Sequence, residues 1–256
     1  MISYSINHED VMLNRAFQDI KDGTYIDVGA FLPVQHSNTY ALYARGWSGV
    51  VCDPVFNFEI DWVQQWCALR PRDKVVRDAI GAAPGETEFW LCNYRGLSTC
   101  ARQSIDRHLD QSPTNTAMSD GSKVPMSTLD QVIGRLMDGK APHLISIDVE
   151  GLEGEVLKGI DLTKHRPWMF VIESYNSADL SPHYPAWEPL LSDAGYQCVW
   201  DDRINRFYVA DERMELAKHF DYPPNVTDAF MPVRQYDLQR RLEEYESNRS
   251  TLMSRS

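Results

Sequence analysis

The feature that most constrains this chain is a recurring unit: a short apolar run that stops at an acidic residue, followed by a helical pattern. Thr24-Tyr25-Ile26-Asp27-Val28 is broken by Gly29. Ser48 to Cys52 stops at Asp53-Pro54, and Lys74 to Asp78 ends in an acid. Residues 143 to 148 end in Asp148-Val149-Glu150-Gly151, and 168 to 173 end at Glu173. Runs of four to six apolar residues between turn signals predict strands buried on both faces. The segments between them space their apolar residues as helices do: 8 to 20, 37 to 45, 57 to 69, 127 to 137, 152 to 159 and 186 to 194. Strand and helix in alternation predict an α/β fold with a parallel sheet covered on both sides. Tyr196 to Trp200 and Arg206 to Ala210, flanking Asp201 to Asn205, predict an antiparallel hairpin that closes the sheet.

The 256 residues suffice for one such domain and are few for two. The expected division is a single domain over 1 to 232 and a charged tail, a loose helix, over 233 to 256. Residues 86 to 92 predict a further strand. Residues 93 to 123, rich in Ser, Thr, Asn and Asp, predict an insertion or lid.

A formal net charge of -12 opposes contact with nucleic-acid phosphates, and no Lys/Arg cluster offsets it. The expected partner is therefore a small molecule or saccharide acceptor, with no nucleic acid. The apolar runs are too short to span a bilayer. Met1-Ile2-Ser3-Tyr4 leads into polar sequence without a secretory pattern. Five cysteines, an odd number without a C-x-x-C pair, predict neither a disulfide framework nor a zinc site. The expected setting is the cytoplasm; oligomeric state is not readable.

In open α/β sheets, ligands bind outside the carboxyl ends of the strands. Gly29 directly after the first strand lets backbone approach a ligand, or simply turns the chain. The full G-x-G-x-x-G pattern is absent, since Phe31, Leu32 and Pro33 fill the loop. Asp53 is placed to accept from ribose hydroxyls, a role that serves NAD and S-adenosylmethionine equally. Ser37-Asn38-Thr39 are natural N-caps that could also receive a carboxylate. Asp148, Glu150 and Glu173 are candidates to bind an acceptor hydroxyl, act as base, orient a cofactor or, for Asp148 and Glu173, hold a divalent metal. Glu153 reads as a first-turn helix acid. The histidines are scattered; His183, in the loop after Glu173, is the candidate histidine base.

Taken together, the residues resemble the FkbM family of methyltransferases. Tyr4-Ser5-Ile6-Asn7-His8-Glu9-Asp10 is similar to its opening Y-S-Q-x-G-E-D. Tyr25 to Ala30, Pro33, Ser37-Asn38-Thr39, Tyr43 and Gly46-Trp47-Ser48-Gly49 resemble its cofactor segment. Val124-Pro125, Thr128-Leu129-Asp130, Ile147 to Gly151 with Glu153, Val156-Leu157, Gly159, Arg166-Pro167, Ile172-Glu173 and Asn205 to Tyr208 continue the likeness, which runs from about 4 to 228. The resemblance implies a Rossmann-like class I methyltransferase with a seven-stranded sheet, S-adenosylmethionine as donor and an oxygen nucleophile on a saccharide or secondary metabolite. It implies that Asp27, Gly29, Ser37 and Asp53 bind the cofactor, with Asp78 beside the adenine and Ser5, Glu9 and Asp10 closing over it. Two departures stand out: Asn7-His8 in the N-terminal block, and Asp53-Pro54 where Glu-Pro is commoner. An NAD-dependent oxidoreductase, or a non-catalytic nucleotide-binding protein, is the rival reading.

Overall fold

A computed structural model describes residues 1 to 111, 114 to 118, 121 to 176 and 179 to 253; the side chains of 111 and 249 to 253 are not described. Residues 112, 113, 119 and 120 of the expected insertion, 177 and 178 of the loop after Glu173, and 254 to 256 of the tail lie outside the described residues.

Seven strands build the main sheet: β1 (Thr24–Val28), β2 (Ser48–Cys52), β3 (Lys74–Val76), β4 (Leu144–Ile147), β5 (Met169–Glu173), β6 (Tyr196–Asp201) and β7 (Asn205–Ala210). Their spatial order is β6-β7-β5-β4-β1-β2-β3. The pairs β1-β2, β2-β3, β1-β4 and β4-β5 are parallel, whereas β7 runs antiparallel to both β5 and β6. The fold is thus mixed α/β with a large, mostly parallel sheet, closed by the hairpin.

Side-chain alternation along the strands divides the core in two. Tyr25, Val51, Leu144, Val171 and Phe207 face one layer, in which Met12 and Leu13 of α1 (Glu9–Ala16), Leu42 of α2 (Tyr40–Ala44) and Trp66 of α3 (Ile60–Leu69) pack. Ile26, Val50, Ile145, Phe170 and Tyr208 face the other, and the helices on that side lie C-terminal to those on the first. In the region expected to be an insertion, the described residues include α4 (Arg102–Gln111). The second layer holds α5 (Leu129–Leu136), α6 (Glu153–Lys158) and α7 (Glu188–Ser192), through Ile133, Val156 and Leu191 respectively.

The strand expected over 86 to 92 forms over Gly85–Phe89 but leaves the main sheet. It pairs antiparallel with Ser122–Ser127, which pairs parallel with Ala79–Ile80, giving a separate three-stranded sheet. The chain's first strand, Ile2–Ser3, pairs parallel with Met231–Pro232, and a final helix, α8, spans Val233–Met253. Among the described residues no helix is long and apolar enough to cross a membrane.

Candidate functional site

The carboxyl ends of the parallel strands share one edge of the sheet, and the start of the antiparallel β7 meets them there: Asn205 pairs with Glu173. A cavity of about 290 Å³ lies along this edge. Gly29, Asp53, Asp78, Asp148, Glu150 and Glu173, all anticipated from the sequence, line it. Because strand order follows β3-β2-β1-β4-β5, Asp78, Asp53 and Gly29 lie towards one end and Asp148 and Glu173 towards the other.

At the first end, Asp53 joins two elements. Its Oδ1 accepts from the Val55 amide at 2.9 Å, and its Oδ2 accepts from the Phe31 amide at 3.0 Å. Burial pushes its carboxyl up to about 6. Asp78 accepts from Ser127 Oγ, which ties the small sheet to the cavity wall. Apolar side chains, among them Ile80 and Phe89, complete this end.

At the other end Asp148, Glu150 and Glu173 each place a carboxylate oxygen within 4.8 Å of the others. Asp148 is exposed and lines the cavity. Desolvation, then the Glu150 and Glu153 carboxylates, raise its carboxyl well above the ordinary range. Glu173 is raised well above its ordinary value by burial first and by Asp148 second, and it shares a hydrogen bond with Asp148. Like charges this close favour retention of a proton within the group. His108 Nε2 approaches Glu150 Oε2 at 3.0 Å from α4.

Other anticipated residues lie off the cavity wall. Asp27 is buried behind Gly29 and accepts from Thr39 Oγ1 at 2.6 Å; desolvation raises its carboxyl. Thr39 and Ser37 also accept from the wholly buried Arg70, at 3.0 and 3.2 Å. Arg70 further donates to Tyr25 and the Pro33 carbonyl and pairs with Asp73 at 2.6 Å. Ser37 and Thr39 are thereby occupied in anchoring the loop before α2 rather than presented to the cavity. Ser5 donates to Asp10 at 2.8 Å, and Glu9 accepts from Asn205 Nδ2 at 2.7 Å and the Asn7 amide at 2.9 Å. These N-terminal acids face inward, and their neighbour Ile6 is the residue that reaches the cavity. His183 does not line the cavity either: its Nδ1 lies 3.4 Å from Glu153 Oε2 behind the acid loop. Of the residues expected to act as a base, His183 is thus the one placed off the cavity lining, beside Glu153.

Sequence reasoning missed Ile6, Phe31, Tyr94, Leu97 and Leu180, which supply much of the apolar wall. They come from loops whose spacing carries no periodic signal. It also missed Arg70, a single arginine at the end of α3.

A family model described as the methyltransferase FkbM domain matches residues 27–198. Among solved structures, the chain is similar to the crystal structure of methyltransferase FkbM from Methylobacillus flagellatus KT, with 17% identity and a TM-score of 0.42. That likeness covers 74% of this chain and 44% of the other. No curated protein matches. With the family model matching well over half its length, the chain belongs to the FkbM methyltransferase domain family.

Proposed function

We propose that the protein is an S-adenosylmethionine-dependent O-methyltransferase with a Rossmann-like class I fold, acting on a hydroxyl of a saccharide or secondary metabolite. The observation that carries this reading is the convergence of Asp148, Glu150 and Glu173 in the same cavity as Gly29 and Asp53. An acid-rich cavity attracts a sulfonium cation and repels the diphosphate of NAD. Among the described residues the one arginine on its wall, Arg95, is already paired with Glu59. The order β6-β7-β5-β4-β1-β2-β3 with only β7 reversed supports the class I assignment.

The residues present suit the cofactor. Asp53 has lone pairs left to accept from ribose hydroxyls, Ile80 and Phe89 offer an apolar wall to adenine, and the carboxylates offset a cationic centre. The cavity is near the lower end of the range of about 300–1,000 Å³ typical of small-molecule sites. S-adenosylmethionine, when bound, supplies an electrophilic methyl group with a good leaving group. The chain's part is alignment and proton removal. An acceptor hydroxyl held beside Glu150 would pass its proton to the cluster of Asp148, Glu150 and Glu173.

Calorimetry with S-adenosylmethionine, S-adenosylhomocysteine and NAD tests the reading. Binding of the first two and not NAD is expected, and binding of NAD alone reverses the assignment. Asp53→Ala is expected to weaken S-adenosylhomocysteine binding about tenfold or more, the scale of a lost hydrogen bond to a charged group. The oxygen-only cluster also has the donor chemistry that a hard divalent cation takes, with Asp148 and Glu173 as the proposed ligands. Activity lost to EDTA and restored by Mg²⁺ or Mn²⁺ would assign the cluster to a metal; unchanged activity would assign it to proton transfer.

A further inference from the structure

Glu153 opens α6, yet it is not an ordinary first-turn acid standing in solvent. Its side chain is fully buried beneath the loop that joins β4 to α6. Oε1 accepts from the Val149 amide at 3.3 Å and the Gly151 amide at 3.0 Å. Oε2 faces His183 Nδ1 at 3.4 Å, and Trp187 Nε1 donates to that same nitrogen at 3.4 Å.

The loop that Glu153 grips is an unfavourable one. Glu150 and Gly151 take φ of 58° and 106°, two successive residues in the left-handed region, and the first has a side chain. It is also confined from other directions. Thr99 Oγ1 lies 3.2 Å from both the Val149 and the Glu150 carbonyls. Across the cavity floor, the Asp148 carbonyl presses on Gly29 so closely that a Cβ there would stand 1.6 Å from it. Such a turn persists only where its surroundings over-determine it. Its result is that Asp148 and Glu150 both present themselves to the cavity.

We propose that Glu153 is a positioning residue: by accepting from the Val149 and Gly151 amides it holds the turn that directs Asp148 and Glu150 into the cavity, with His183 closing the far side of its carboxyl. This rests on the methyltransferase reading only for the consequence it has on ligand binding; the hold itself is a matter of geometry.

The test combines amide hydrogen exchange with calorimetry, using S-adenosylhomocysteine as probe. Glu153→Ala is expected to speed exchange at Val149 and Gly151 about tenfold or more. Exchange at Ile145 and Val171 in the neighbouring strands should stay within about twofold, and ligand affinity should fall about fivefold or more. Glu153→Gln keeps a carbonyl oxygen and is expected to stay within about twofold of the parent on each measure. If the alanine variant does not fold, Glu153→Asp, one methylene shorter, carries the same expectation. Unchanged exchange at the two amides, loosening spread through the whole sheet, or a glutamine variant as impaired as the alanine one would each overturn the proposal. So would faster exchange with unaltered affinity. A parent protein that does not bind S-adenosylhomocysteine refutes the methyltransferase reading instead, and the exchange comparison then decides Glu153's role alone.

Discussion

At the scale of single residues, the chain buries carboxyls where it needs hydrogen-bond acceptors, and each burial has a pH signature. Glu9 is 2% exposed. Desolvation first and the Asp202 carboxylate second push its carboxyl up to about 7, against the bonds it accepts. A carboxyl whose folded value exceeds its unfolded one favours the folded state most fully below the unfolded value, and that contribution is lost as pH rises through the folded value. The window therefore runs from 4.5, the ordinary value, to about 7. The associated change is about 3 kcal/mol. Glu9→Gln, neutral throughout, removes this slope. Denaturant titrations at pH 4.5 and pH 8 are expected to show the glutamine variant gaining on the parent by about that amount at the higher pH. Equal differences at both pH values would show that Glu9 is not buried as charge. Asn205, whose amide donates to Glu9, sits in register with Glu173, so this acid also ties the N-terminal segment to the end of the sheet that carries the acid cluster.

At the scale of elements, the turn after β1 and the turn after β4 are built against each other. Gly29 has φ of 80°, and an added Cβ would collide with the backbone of Asp148, which cannot move without dragging the acid loop. Gly29→Ala is expected to cost about 3 kcal/mol or more, combining left-handed strain with displaced backbone. Gly139→Ala is the control: its φ is 71°, but a Cβ there meets nothing within 4 Å. It should cost only about 1 kcal/mol. Thermal melts of the two variants separate strain from collision, and equal losses would remove the collision argument. Legibility in the sequence follows the same physics. Strands β1 and β2 form over the very residues expected, because a strand buried on both faces reads as a short, mostly apolar run between turn signals. The Gly85–Phe89 and Ser122–Ser127 pair carries exposed Glu86, Glu88 and Lys123, so no apolar signal told the reader it forms a separate sheet. Helix α4 is polar on average, and the face it buries includes Ser104 and His108 beside Ile105, so few apolar residues mark it in the sequence. The acids at strand ends were legible as neighbours along one edge of the sheet, where they line the cavity, because an acid stopping an apolar run needs no tertiary knowledge. Glu153 and Thr99 were not, since their roles exist only once the loop between them is folded.

At the scale of the whole molecule, segments near the two ends of the chain close on each other, a few residues before Ile6 of the cavity wall. Ile2 pairs with Met231 and Ser3 with Pro232, and the Met231 amide donates to the Met1 carbonyl at 2.9 Å. Nearby, Arg15 forms a two-pronged pair with Asp228 at 2.9 and 2.7 Å and donates to the His219 carbonyl at 2.8 Å. Arg15 and Asp228 are both largely withdrawn from solvent, which makes the pair worth more than a surface ion pair. The proposed domain boundary at 232 then makes a sharp comparison possible. A chain ending at 232 retains the Met231–Pro232 strand and should keep both stability and S-adenosylhomocysteine affinity. A chain ending at 228 keeps Asp228 but loses the strand, leaving Ile2–Ser3 without its partner. At about 1 kcal/mol per hydrogen bond lost, and about 2–4 °C per kcal/mol, its melting temperature should fall by several degrees. Because Ile6 follows the freed strand directly, ligand affinity should weaken with it. Two truncations with the same melting temperature would show that the closure is not what docks the N-terminal segment. A loss already present at 232 would place α8 inside the functional unit instead of beyond it; Arg234 and Asp237 of α8 line one surface pocket with Gln35 and His36. The pair of truncations therefore locates the edge of the domain by what it holds in place.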